Sequence, residues 1–359
     1  MKRISAPQVA TMFTGCFLGA GFLSGQELLQ FFARFGGYGI AGMALAVCAF
    51  CGFGLMVLRI AKRTGFTEFD RIVIHRDLPR LRGFLSGVFL FFLFGVMVSM
   101  IAGAGALLHQ LLGLPALAGN AVMSALVLAV ALSGAAGLVA SFSVVVPLLV
   151  IAAAAVGVLA FLRLPAGPVQ ALPFSGDNPL LGNWFFSALS FISYNMMAAV
   201  SILVPLTGGM EDGRTIHRGM ALGAGLLTAI SACILLPMVC FRDLVGSAEL
   251  PMLALAGRAL PALGAVYALL LFCGMFTAAL SALFAVTSRL QAWRRGRLSG
   301  PRLNVLLCLL AFAGSVFGFK NMVSFVYPVC GYIGFLALAG IAAHALSLRR
   351  QAGTSEAKK

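Results

Sequence analysis

The residues best suited to chemistry lie together near the start of the chain, in Gly19-Ala20-Gly21-Phe22-Leu23-Ser24-Gly25-Gln26-Glu27. Three glycines in seven residues weaken a helix, each by about 1 kcal/mol against alanine. Gln26 and Glu27 follow at once. Glu27 is the one acidic residue inside a long apolar stretch; the other nine lie in polar segments or in the tail. A carboxylate in apolar surroundings costs about 2.5–3.5 kcal/mol even on membrane-insertion scales. Such a group can hold an ammonium or metal cation, carry a proton, or cap the exposed N–H groups of its own helical segment. Functional ligand and structural anchor both remain open on these residues alone.

A second polar group, Ser193-Tyr194-Asn195, interrupts the apolar run Ser190–Ala198. Serine and asparagine bond locally to backbone and compete with helix, so a second break is expected there. Thr277, Ser281 and Ser288 share one helical face at i, i+4 and i+11. Their hydroxyls could ligate sodium beside freed carbonyls, or bond back onto their own helix, the reading favoured for Ser288. Gln26, Glu27 and Asn195 with the thioether of Met196 or Met197 would suit a transition metal. Methionine is also an ordinary packing residue, and 15 are spread through the chain. Cys48 and Cys51 have CxxC spacing without a partner pair and read as packing residues. No histidine has metal-ligand spacing with another His or Cys. No GxxxxGK[ST] phosphate loop and no nucleophile–base constellation occur, so no enzymatic activity is expected.

The elements that position these groups must be membrane helices. Hydrophobic residues make up 61% of 359, charged residues only 10%, and mean hydropathy is +1.03. A soluble domain carries roughly 25% charge. Ten stretches are long enough to span a bilayer: 7–34, 38–61, 83–112, 118–138, 141–163, 182–207, 218–240, 263–290, 303–319 and 321–347. Segment 243–262, with Pro251 and Pro261, is too broken and reads as a helix or hairpin on the membrane surface. The first stretch is too long, and too polar at its centre, for a removable signal peptide. With the N-terminus inside, 20 of the 25 Lys and Arg residues fall in inner segments. This places both termini on the cytoplasmic side of the membrane. The net charge of +15 is then a topology signal beside anionic lipid, not a nucleic-acid surface.

Ten spans divide into repeats at 1–163 and 182–347, joined by an outer loop at 164–181 and followed by a cytoplasmic tail at 348–359. Five is odd, so the second half inserts upside down, as in transporters whose first helix in each half is broken. Gly21 and Tyr194 are 173 residues apart, close to the 184 between span ends at 163 and 347. The expected fold is all-α, a 5+5 inverted repeat broken in helices one and six.

The stretches GAGFLSGQELLQFF (19–32), SYNMMAAVSILVPL (193–206) and FGFKNMVSFVYPVCGYIG (317–334) resemble YkvI-type bacterial membrane proteins of the amino acid–polyamine–cation superfamily. The resemblance covers essentially the whole chain and implies the LeuT fold. It implies secondary transport of an amino acid or small amine, coupled to sodium or protons. Substrate would then meet Gly19, Ala20, Gly21, Ser24, Gly25, Gln26, Glu27, Ser193, Tyr194 and Asn195. The coupling ion would meet Ala20, Thr277, Ser281 and Glu27. Backbone N–H groups at the glycine break would receive a substrate carboxylate, and freed carbonyls an ammonium or cation. No cofactor is expected beyond a coupling ion such as Na+. The partners expected are a small molecule and the lipid bilayer. A divalent metal carrier of the same fold and a transporter-like solute sensor are the alternatives.

Overall fold

The computed structural model describes residues 5–66, 68–74, 78–133, 144–165, 167, 178–207, 213–293 and 299–356. These residues are nearly all helical, with no strand among them. The first span is in three pieces: α1 (Ala6–Phe17), α2 (Ala20–Leu23) and α3 (Gln26–Phe31). Then come α4 (Gly37–Thr64), the short α5 (Phe69–Val73), α6 (Pro79–Leu112), α7 (Ala116–Leu132) and α8 (Val145–Arg163). They are followed by α9 (Trp184–Leu206), α10 (Gly213–Cys240), α11 (Pro251–Ala259), α12 (Pro261–Trp293) and α13 (Gly300–Ser315). The last helix, α14 (Tyr327–Glu356), is entered through a π-helical turn at Met322–Val326.

Among the described residues, seven helices are long and apolar enough to cross a membrane. Two shorter apolar helices, α7 and α13, accompany them. Element lengths recur along the chain. Both α4 and α10 have 28 residues, α6 and α12 have 34 and 33, and α7 and α13 have 17 and 16. The most extensive packing joins α6 to α12, α1 to α10, and α9 to both α4 and α14. Most of the 164–181 connection, with Arg76 and Asp177, lies outside the described residues, as do 357–359.

Two expectations are corrected. Helix α9 runs unbroken through Ser193–Asn195. The Asn195 amide donates to the Phe191 carbonyl one turn back at 3.0 Å, which decorates the helix instead of opening it. Ser190 and Ser193 permit close approach of α14: a Cβ on Gly331 would lie 2.1 Å from Ser190 Oγ, and one on Gly334 2.4 Å from Ser193 Oγ. Small residues here serve helix–helix contact. The second correction concerns 243–262. Helix α11 there is more than a peripheral segment: Met252, Leu253, Leu255 and Ala256 are buried against α8 and α12, while Gly257 and Arg258 stay exposed.

Candidate functional site

The glycine-rich segment breaks the first span twice. At Leu18–Gly19 the backbone turns extended, with Gly19 at φ −77° and ψ 166°. At Gly25 it becomes left-handed, φ 85°, a region glycine enters without penalty. A side chain at Gly25 would also meet Met238 Cε at 1.9 Å. Between the breaks stands one helical turn, Ala20–Leu23.

Several of the freed backbone groups around Ser24 are taken. Ser24 Oγ donates to the Gly21 carbonyl at 2.7 Å and accepts from the Gln26 N–H at 3.3 Å. The Ser24 carbonyl accepts from the Met252 N–H of α11 at 3.0 Å. The Leu23 carbonyl accepts from the Tyr267 hydroxyl of α12. These two carbonyls are therefore not the open cation ligands expected from the sequence. Helix α11 is tied directly to the break.

Glu27 begins α3 and folds back over Gly21. A Cβ at position 21 would lie 2.1 Å from Glu27 Oε1, so glycine there makes the seat for the carboxylate. The other oxygen, Oε2, accepts from the Tyr194 hydroxyl of α9 at 2.7 Å. This bond joins the broken first span to α9 across 167 residues. Glu27 is 7% exposed and Asn195 8%, whereas Ser24, Gln26 and Ser193 are wholly buried. Neither amide atom of Gln26 has a hydrogen-bond partner. Among the described residues no Lys, Arg or His side chain pairs with Glu27.

Aromatic rings surround Tyr194. Ring centroids of Phe31, Phe92, Phe191 and Tyr327 lie 5.5, 5.7, 5.5 and 5.2 Å from its own. Residues Tyr327, Tyr267 and Met252 were not singled out by the sequence reading. One signal was available. Only five tyrosines occur in the chain, and buried hydroxyls need partners, so Tyr267 and Tyr327 inside apolar stretches were candidates.

Among the described residues no hydrogen bond joins Thr277 or Ser281 to Glu27. The Thr277 hydroxyl donates to its own helix at the Gly274 carbonyl, 2.9 Å away. Ser281 is exposed. Gly274, not a hydroxyl residue, faces Ala20: a Cβ there would lie 3.7 Å from Ala20 Cβ. Met197 is also directed elsewhere, its sulfur lying 2.8 Å from a Cβ built on Gly334. Among the described residues no group of three or more His, Cys, Asp or Glu side chains could hold a metal ion.

No protein-family model matches the chain. It is 27% identical to the membrane protein YkvI of Bacillus subtilis (strain 168), across 94% of either chain. It is 25% identical to YyaD of the same organism, across 91% of this chain and 93% of that one. Among solved structures, a mutant of the Eremococcus coleocola manganese transporter matches with a TM-score of 0.57 at 13% identity, covering 95% of this chain and 78% of that one. The same transporter in complex with an aromatic bis-isothiourea substituted compound matches with a TM-score of 0.55 at 14% identity and the same coverage. The chain is thus a multi-pass membrane protein that shares the fold of a membrane transporter.

Proposed function

We propose that this chain is a secondary active transporter of a small organic solute, an amino acid or small amine, coupled to Na+ or H+ by alternating access. The observation that carries the reading is the Glu27–Tyr194 bond, a buried carboxylate at a doubly broken span tied to a facing helix. Irregular backbone at membrane depth is tolerated where it is buried in protein or lines a cavity. Gly19 is exposed beside buried Ala20 and Gly21, so the break reaches the protein surface at that residue. Ten spans in a 5+5 inverted repeat, as in the amino acid–polyamine–cation superfamily, fit the recurring helix lengths. In that arrangement α1–α3 make the first span, and the termini lie in the cytoplasm. The deciding experiment is uptake into proteoliposomes, with Glu27→Gln as the comparison. Glutamine keeps the size and can still accept from Tyr194, but loses the charge. Loss of transport with normal expression is expected; uptake at the wild-type rate would show that the carboxylate is structural.

A divalent metal carrier is the second reading, favoured by the fold likeness to the manganese transporter. The donor set around Glu27 fits it less well, because no group of three or more His, Cys, Asp or Glu side chains among the described residues could hold a metal ion, and the Met197 sulfur lies against Gly334.

A further inference from the structure

We infer that the ligand of the Glu27 site is an organic cation, an amine that carries no carboxylate. The inference rests on the transport reading and narrows its substrate class. An amino acid would need its carboxylate received at the glycine break. That place is filled by the protein's own carboxylate, with Glu27 Oε1 set against Gly21. Three nearby N–H donors are engaged, Ser24 N to Ala20 O at 2.8 Å, Gly25 N to Phe22 O at 3.0 Å, and Gln26 N to Ser24 Oγ at 3.3 Å; those of Ala20, Gly21 and Phe22 have no partner among the described residues, and the Glu27 carboxylate already stands beside them at Gly21. A ligand carboxylate brought here would face a like charge in surroundings that screen it poorly. Among the described residues no basic side chain pairs with Glu27 to offset that repulsion.

The remaining surroundings suit an ammonium group. A cation is attracted both to a carboxylate and to the faces of aromatic rings. Tyr194 and its four ring neighbours supply the aromatic component. Glu27 supplies the carboxylate, and Tyr194, bonded to it, the adjoining ring. Gln26, next to Glu27 in α3, has an amide without a partner among the described residues.

The test uses pairs that differ by a carboxylate: tyramine and tyrosine, histamine and histidine, agmatine and arginine, cadaverine and lysine. Each is titrated into the purified full chain in detergent and followed by thermal shift and calorimetry. At least one amine should bind, with its parent amino acid at least about tenfold weaker. Glu27→Gln, monodisperse by size exclusion, should lose that amine by at least about tenfold. Glu27→Asp, which keeps the charge, should retain the preference for amine over amino acid. A parent amino acid that binds as tightly as its amine would overturn the inference. So would undiminished amine binding by Glu27→Gln, or failure of all four amines. Proteoliposomes separate the two readings: an amine that binds but is not carried defeats transport alone, whereas carriage of an amino acid in preference to its amine defeats this inference alone.

Discussion

The seat that Gly21 makes for Glu27 can be tested by energetic coupling. A methyl group at position 21 would stand 2.1 Å from Glu27 Oε1, whereas ordinary contact begins at 3.4 Å. The carboxylate must therefore retreat by about 1.3 Å, and the 2.7 Å bond from Tyr194 cannot survive that shift. A hydrogen bond to a carboxylate contributes about 1.5–3 kcal/mol. Alanine in the helical turn returns about 1 kcal/mol of propensity. Gly21→Ala should thus destabilise by about 0.5–2 kcal/mol. The sharper expectation concerns Tyr194→Phe. In the wild-type background it should cost about 1.5–3 kcal/mol. In the Gly21→Ala background it should cost less than about 0.5 kcal/mol, because the bond is already gone. Reversible unfolding of the four proteins in mixed detergent–dodecyl sulfate micelles supplies the cycle. Equal cost of Tyr194→Phe in both backgrounds would refute the seat.

Further expectations concern the two breaks, the α11 contact and the topology. Gly25→Ala should destabilise by more than about 2 kcal/mol, from left-handed backbone and the clash with Met238. Gly19→Ala, with no atom within 4 Å of its Cβ, should change stability by less than about 1 kcal/mol in the same unfolding assay. Tyr267→Phe removes the donor to the buried Leu23 carbonyl and should cost about 1–3 kcal/mol, with faster hydrogen exchange at Ser24–Glu27. In a chain stripped of native cysteines, an impermeant thiol reagent applied outside should label a cysteine at position 177 and spare one at 76. The reverse pattern would overturn the charge-based topology.

Much of this arrangement is legible in the chain. Long apolar runs become helices because an unpaired backbone has no other refuge in hydrocarbon. The glycine triplet announces the first break because glycine alone enters the left-handed turn at position 25 without strain. Glu27 stands out because a lone carboxylate among apolar residues needs a reason. The meaning of Ser193 and Asn195 is not legible in the same way. A serine can open a helix or let a neighbour come close, and the deciding partners, Gly331 and Gly334, lie well over a hundred residues away. Likewise Thr277 and Ser281 share a face on paper, but one hydroxyl turns onto its own backbone and the other is exposed. Helix α11 is too short and proline-marked to read as buried, and its engagement with Ser24 depends on tertiary contact.

The unequal construction of the first span and α9 has a mechanical consequence. A jointed rod and a stiff rod cannot divide a movement evenly. The twelve residues of α1 are packed along α10 and join α2 through the extended backbone at Leu18–Gly19, with bonds of 3.3 and 3.0 Å at the joint. They form a lever with its fulcrum beside the carboxylate. The 23 residues of α9 have no such joint and carry force from end to end like a piston. A disturbance that begins at the Glu27–Tyr194 bond therefore leaves by two routes of different compliance: a swing along α1 and a translation along α9.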